Sequence, residues 1–190
     1  MRELVGNFTD YVAHGIEIGE NTSFNSSDKE IDNIVITGLG GSGIGGVVVS
    51  QLVRNRCNVP IITNNSYTLP SFIDDSTLVI ACSHSGNTEE TLIALKEAQE
   101  AGCEIACITS GGKLKAIADE SNYNNIIIPD GRSPRAMFPY SVVALLYAFN
   151  KYELITNDIL NELTSSVDFL RSNENECEKI GTELGENIFN

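Results

Sequence analysis

The most restrictive feature of this chain is an alternation. Short apolar runs of strand length, at residues 34–37, 59–63, 77–82, 104–109 and 125–128, are separated by stretches of helical pattern. The helical stretches fall at 47–53, 88–101, 111–118 and 136–147. Thr77-Leu78-Val79-Ile80-Ala81-Cys82 carries no polar alternation, as expected of a parallel strand covered on both faces. Strands alternating with helices imply βαβ units, a parallel sheet and right-handed crossovers. The pattern predicts an α/β fold: a three-layer, doubly wound, five-stranded parallel sheet in the flavodoxin-like order 2-1-3-4-5. In that order strands 1 and 3 are neighbours where the winding reverses, and ligands of open α/β sheets bind there.

Both strands end in unusual loops. Strand 1 runs into Gly38-Leu39-Gly40-Gly41-Ser42-Gly43-Ile44-Gly45-Gly46, and strand 3 into Cys82-Ser83-His84-Ser85-Gly86-Asn87-Thr88. Each leads into a helical stretch. Backbone N–H groups at a helix N-terminus favour an anion, so the two loops together are expected to hold the phosphate of a small molecule. Gly38-x-Gly40-x-x-Gly43 also fits the dinucleotide fingerprint, but that fingerprint needs a carboxylate at the end of strand 2. Thr63-Asn64-Asn65 has none there, which weighs against NAD. No Gly-Lys-Ser/Thr follows, so the loop is not a Walker A motif. A tight turn alone needs fewer glycines than the six found in these nine positions. Ser42 is read as capping the following helix. In the second loop Ser83, Ser85 and Thr88 offer three hydroxyls, whereas capping needs one. The helix after it is expected to bury Leu92, Leu95, Ala98 and Gln99 and to stop at Gly102.

At 190 residues, with 42% hydrophobic and 20% charged residues, the chain suits one globular domain, or one domain with an appendage. A formal charge of −14 argues against nucleic acid as a partner. The five cysteines include no C-x-x-C pair, so they read as free thiols of a cytoplasmic protein with no metal site. Met1-Arg2-Glu3-Leu4 lacks a signal-peptide layout, and no apolar run approaches the ~20 residues of a membrane span.

Leu4, Val5, Phe8, Tyr11, Val12 and Ile16 recur at steps of three and four, which predicts one amphipathic helix or two short ones in residues 1–20. Residues 21–30 read as a polar loop. Residues 151–190 set nine acidic side chains against Lys151, Arg171 and Lys179. Leu160, Leu163, Val167, Leu170 and Cys177 give them a helical stripe. The expected division is a helical segment at 1–30, an α/β domain that binds the phosphorylated small molecule at 31–150 and an acidic helix at 151–190.

The motifs taken together resemble the sugar isomerase (SIS) domain, and more closely the N-terminal half of the bifunctional phosphoglucose/phosphomannose isomerases. The resemblance is carried by the glycine loop, by Ser83-His84-Ser85-Gly86-Asn87-Thr88-Glu89-Glu90-Thr91, by Thr109-Ser110-Gly111-Gly112-Lys113-Leu114 and by Pro134-Arg135-Ala136. It implies that Gly41 and Ser42 bind substrate and that Ser83, Ser85 and Thr88 bind its phosphate. It also implies that Arg135 stabilises the cis-enediolate of an aldose–ketose isomerisation that needs no cofactor. An always-charged guanidinium at the same sheet edge suits that role, and a surface ion pair is its plainer alternative. Family members usually carry Tyr where this chain has His84, which is read here as packed or solvent-lying. They also carry two such domains, with a glutamate base and a ring-opening histidine in the second. The 190 residues are thus expected to form a truncated half without that base. A non-catalytic sugar-phosphate sensor on the same fold is the alternative. The stripe on the acidic helix implies a homodimer.

Overall fold

The computed structural model describes residues 2–27, 29–131 and 135–189. Five strands form one parallel sheet: β1 (Asn33–Gly38), β2 (Ile61–Asn64), β3 (Thr77–Ser83), β4 (Glu104–Thr109) and β5 (Asn124–Ile127). Their order is β2-β1-β3-β4-β5, as the alternation predicts. β3 is buried along its whole length, which explains its unbroken apolar sequence. Seven helices accompany the sheet in the described residues: α1 (Arg2–Gly6), α2 (Phe8–Asn21), α3 (Gly41–Leu52), α4 (Glu89–Glu100), α5 (Gly112–Glu120), α6 (Phe138–Lys151) and α7 (Asn157–Phe189).

Strand alternation divides the core in two. Ile34, Ile36, Leu78, Ile80 and Cys82 face α2, α3 and α6, where they meet Val49, Tyr140, Leu145 and Phe149. Val35, Val79, Ala81 and Cys107 face α4 and α5, where they meet Leu95, Ala98 and Leu114. The amphipathic N-terminal helix contributes Tyr11, Val12 and Ile16 to the first cluster.

Three local expectations change. Ser42 is not a cap: α3 begins at Gly41, Gly40 is its N-cap, and no side chain caps it. α4 buries Leu95 and Ala98 as expected, with Thr91 and Ala94 beside them in place of Leu92 and Gln99. Leu92 is half-buried, and the exposed Gln99 reaches out to the Tyr123 hydroxyl instead. α6 starts at Phe138, two residues later than its apolar pattern suggested, with Pro139 in its first turn. Arg135 therefore stands in the turn before α6, not at its start. Its neighbour Pro134 lies outside the described residues. α7 packs Ile159 and Val167 into the core, while Cys177 is exposed with most of the helix beyond it.

Among the described residues no helix is long and apolar enough to cross a membrane. No group of three His, Cys, Asp or Glu residues among them could hold a metal ion.

Candidate functional site

The register of the sheet builds the site. Gly38 at the end of β1 pairs with Cys82 in β3, so the two small-residue loops leave the sheet side by side. The first loop turns at once into α3. A Cβ on Gly43 would stand 2.6 Å from the Gly38 carbonyl oxygen, an approach that only glycine permits. Ser42 then bridges the loops: its Oγ accepts a hydrogen bond from the backbone N–H of His84, at 3.2 Å. Gly41, the first residue of α3, is partly exposed beside it.

In the second loop the hydroxyls of Ser83 and Thr88 lie 2.8 Å apart. Thr88 is the N-cap residue of α4, yet its hydroxyl caps no backbone N–H. The first-turn N–H groups of α4 have no intrahelical acceptor and are open to an external one. Two adjacent hydroxyls thus stand at a helix N-terminus that no side chain caps, the end of a helix where backbone N–H groups and the dipole favour negative charge. Ser85 stands apart at the exposed tip of the loop, where its Oγ accepts from the Asn87 N–H.

A third loop, between β4 and α5, holds the second in place. The Ser110 N–H and hydroxyl both donate to the His84 carbonyl, at 3.0 and 2.6 Å. The Leu114 N–H donates to the Gly86 carbonyl, and Asn87 Oδ1 accepts from the Lys113 N–H. Gly86 has φ +66°, and a Cβ there would collide with the Gly111 carbonyl oxygen. Sequence reasoning missed this clamp, although Thr109-Ser110-Gly111-Gly112 stood out as a motif.

Charge around the site is mixed. The carboxylates of Glu90 and Glu89, in the first turn of α4, push the Tyr67 phenol above its ordinary value. Asn64 at the end of β2 donates to the Thr37 hydroxyl and to the Ser66 carbonyl. Arg135 is exposed, on the β5–α6 connection at the same sheet edge. The structure thus joins Ser83 to Thr88, ties Ser42 to the same loop through the His84 N–H, and leaves Ser85 and Arg135 exposed.

His84 is the surprise. It is 8% exposed, packed as one reading of the sequence had it, yet neither ring nitrogen has a hydrogen-bond partner among the described residues. A buried polar group without a partner costs about 1–3 kcal/mol.

The chain is similar to the bifunctional phosphoglucose/phosphomannose isomerase of Caldicellulosiruptor bescii. The two are 44% identical over 173 residues, which is 90% of this chain and 51% of that protein. It is 40% identical over 124 residues to the D-glucosamine-6-phosphate 4-epimerase of Sulfolobus acidocaldarius, 65% of this chain and 39% of that one. Among solved structures, the C-terminal domain of glucosamine-fructose-6-phosphate aminotransferase from Francisella tularensis superposes with a TM-score of 0.73 at 18% identity. That match covers 98% of this chain and 58% of the other, and it shows the shared fold. The chain spans about half the length of the curated relatives it matches. The family model described as SIS domain matches residues 29–151, the sheet and all three loops included, and the chain belongs to the SIS domain family.

Proposed function

We propose that the chain is the sugar-phosphate-binding half of an isomerase that interconverts glucose 6-phosphate or mannose 6-phosphate with fructose 6-phosphate. One observation carries the reading: the Ser83–Thr88 hydroxyl pair at the uncapped N-terminus of α4, joined to the glycine loop through Ser42. Such a site holds a dianionic phosphate by charge-assisted hydrogen bonds. The Caldicellulosiruptor bescii isomerase matches nearly the whole chain, and the epimerase a shorter part at lower identity, which favours isomerisation over epimerisation.

In this reading Ser83, Ser85 and Thr88 take the phosphate, and Gly41 and Ser42 take the sugar. Arg135 is the catalytic cation. A base moves a proton between C1 and C2, and the guanidinium stabilises the negative charge that builds on oxygen in the enediolate. The chemistry needs no cofactor. Residues 31–150 form the binding domain, with the helical segment 1–30 and the acidic helix 151–190 beside it. The protein works in the cytoplasm, a setting that agrees with five free thiols. Copies pair through the exposed Phe169, Ile180, Leu184 and Ile188 of α7, since apolar stripes of this kind are seldom left uncovered.

Isothermal titration of fructose, glucose and mannose 6-phosphates tests the binding. All three should release or absorb heat with 1:1 stoichiometry, and NAD should not. Micromolar NAD binding without sugar-phosphate binding would overturn the reading. A monomer mass by light scattering at micromolar concentration would remove the pairing.

A further inference from the structure

His84 sits directly after Ser83, one residue beyond the end of β3. Ser83 meets Thr88 on the α4 side. Cys82, two residues before His84, belongs to the core beneath α3 and α6. The imidazole lies toward the β5–α6 connection. Its Nε2 lies 3.9 Å from Asp130 Oδ1, beyond hydrogen-bond distance. Asp130 is 80% exposed and belongs to the β5–α6 connection that also carries Arg135. The His84 backbone is fixed from both flanks, by Ser42 through its N–H and by Ser110 through its carbonyl.

This is a held histidine with two unused ring nitrogens. A neutral imidazole has one donor and one acceptor to satisfy. Among the described residues Asn33 Oδ1 and Thr91 Oγ1 are also buried without a partner, but His84 is the side chain with two such atoms. An exception at a binding crevice calls for a partner that arrives with the ligand. We propose that His84 is a specificity-determining residue that recognises the sugar rather than the phosphate. Nδ1 accepts from a hydroxyl of the bound sugar, and Nε2–H is drawn onto the Asp130 carboxylate. The phosphate on Ser83 and Thr88 fixes one end of the ligand. His84 and Asp130 stand toward the connection that carries Arg135. The inference rests on the sugar-phosphate reading and adds to it the residue that separates a hydroxylated carbon chain from a bare phosphate.

The test compares fructose 6-phosphate with inorganic phosphate by calorimetry on wild type, His84→Phe, His84→Gln and Asp130→Asn. His84→Phe should weaken fructose 6-phosphate about tenfold or more, the loss of roughly one hydrogen bond. Inorganic phosphate should bind it as it binds wild type. His84→Gln, whose amide can donate and accept, should recover most of the difference, and Asp130→Asn should weaken only the sugar phosphate. A second measurement needs no variant. The chain has two histidines, and His14 Nδ1 is already paired with the Tyr140 hydroxyl, so it serves as the reference. In ¹⁵N spectra, fructose 6-phosphate should shift the His84 ring nitrogens toward the Nε2–H tautomer, and inorganic phosphate should not. Equal losses for both ligands in His84→Phe, or His84 nitrogens that stay put under saturating fructose 6-phosphate, would reduce His84 to a packing residue. If His84→Phe does not fold, the spectra alone decide. Wild type that binds neither ligand would overturn the sugar-phosphate reading itself, and this inference with it.

Discussion

Gly86→Ala should separate the loop clamp from the rest of the fold. Gly86 has φ +66°, and a new Cβ would run into the Gly111 carbonyl oxygen while standing 2.9 Å from Thr109 Oγ1. A non-glycine residue in that region of backbone space loses about 1–2 kcal/mol. Moving the Gly111 carbonyl away breaks its hydrogen bond from the Thr109 hydroxyl, and moving Gly86 breaks the bond from the Leu114 N–H. Each contributes about 1 kcal/mol. The sum is about 3–4 kcal/mol, which for a domain of this size lowers Tm by roughly 6–16 °C. Gly102→Ala is the matched control. Its φ is +71°, but a Cβ there meets nothing within 4 Å, so only the backbone penalty of about 1–2 kcal/mol applies. Thermal and urea unfolding of the two variants should therefore differ by about 2 kcal/mol. Fructose 6-phosphate binding, measured well below Tm, should be lost in Gly86→Ala and kept in Gly102→Ala. Equal destabilisation of the two, or full binding by Gly86→Ala, would mean that the three loops are not locked together as described.

Ser83→Ala and Thr88→Ala should each weaken phosphate binding about 10- to 100-fold, the range for a hydrogen bond to a charged group. The double variant should lose less than the product of the two, because the hydroxyls touch each other; strictly multiplicative losses in titration would argue against a shared site. Tyr152→Phe strips the half-buried link between Glu104 and Asn124 and should cost about 1 kcal/mol in urea unfolding with ligand affinity unchanged. Burial pushes the Cys107 thiol up to about 12 from 9.0, and Cys82 still further. Between pH 9 and 12 the folded chain therefore holds protons that the unfolded chain releases, so stability should fall as pH rises through that window. At pH 8 a thiol reagent should label the exposed Cys177 at once and reach Cys82 and Cys107 only after unfolding. A polypeptide of residues 1–190 should bind sugar phosphate yet turn over negligibly. Glu89 and Glu90 stand in the first turn of α4, the end proposed to take the phosphate, and loss of a general base typically costs ~10² to 10⁴ in rate. Ordinary turnover in a coupled assay, abolished by Arg135→Ala, would place a base within these residues.

The sequence by itself determined the layers, the strand order and the two loops that define the crevice. Those features are local. An apolar run such as Thr77–Ser83 declares a doubly covered strand, and the hydroxyls of Ser83, Ser85 and Thr88 mark where it gives way to a helix. The tertiary structure alone decided what those side chains touch. Ser42 looked like a helix cap, and instead it bridges to a backbone 42 positions away. Ser110 clamps a carbonyl 26 positions back, and His84 was a bystander until burial left its ring without partners. Such pairings are fixed by the register of β1 and β4 against β3, which places distant residues side by side. A hydrogen bond needs its partners within about 3 Å, and hydrophobic periodicity sets which face a residue takes but not which distant atom meets it there.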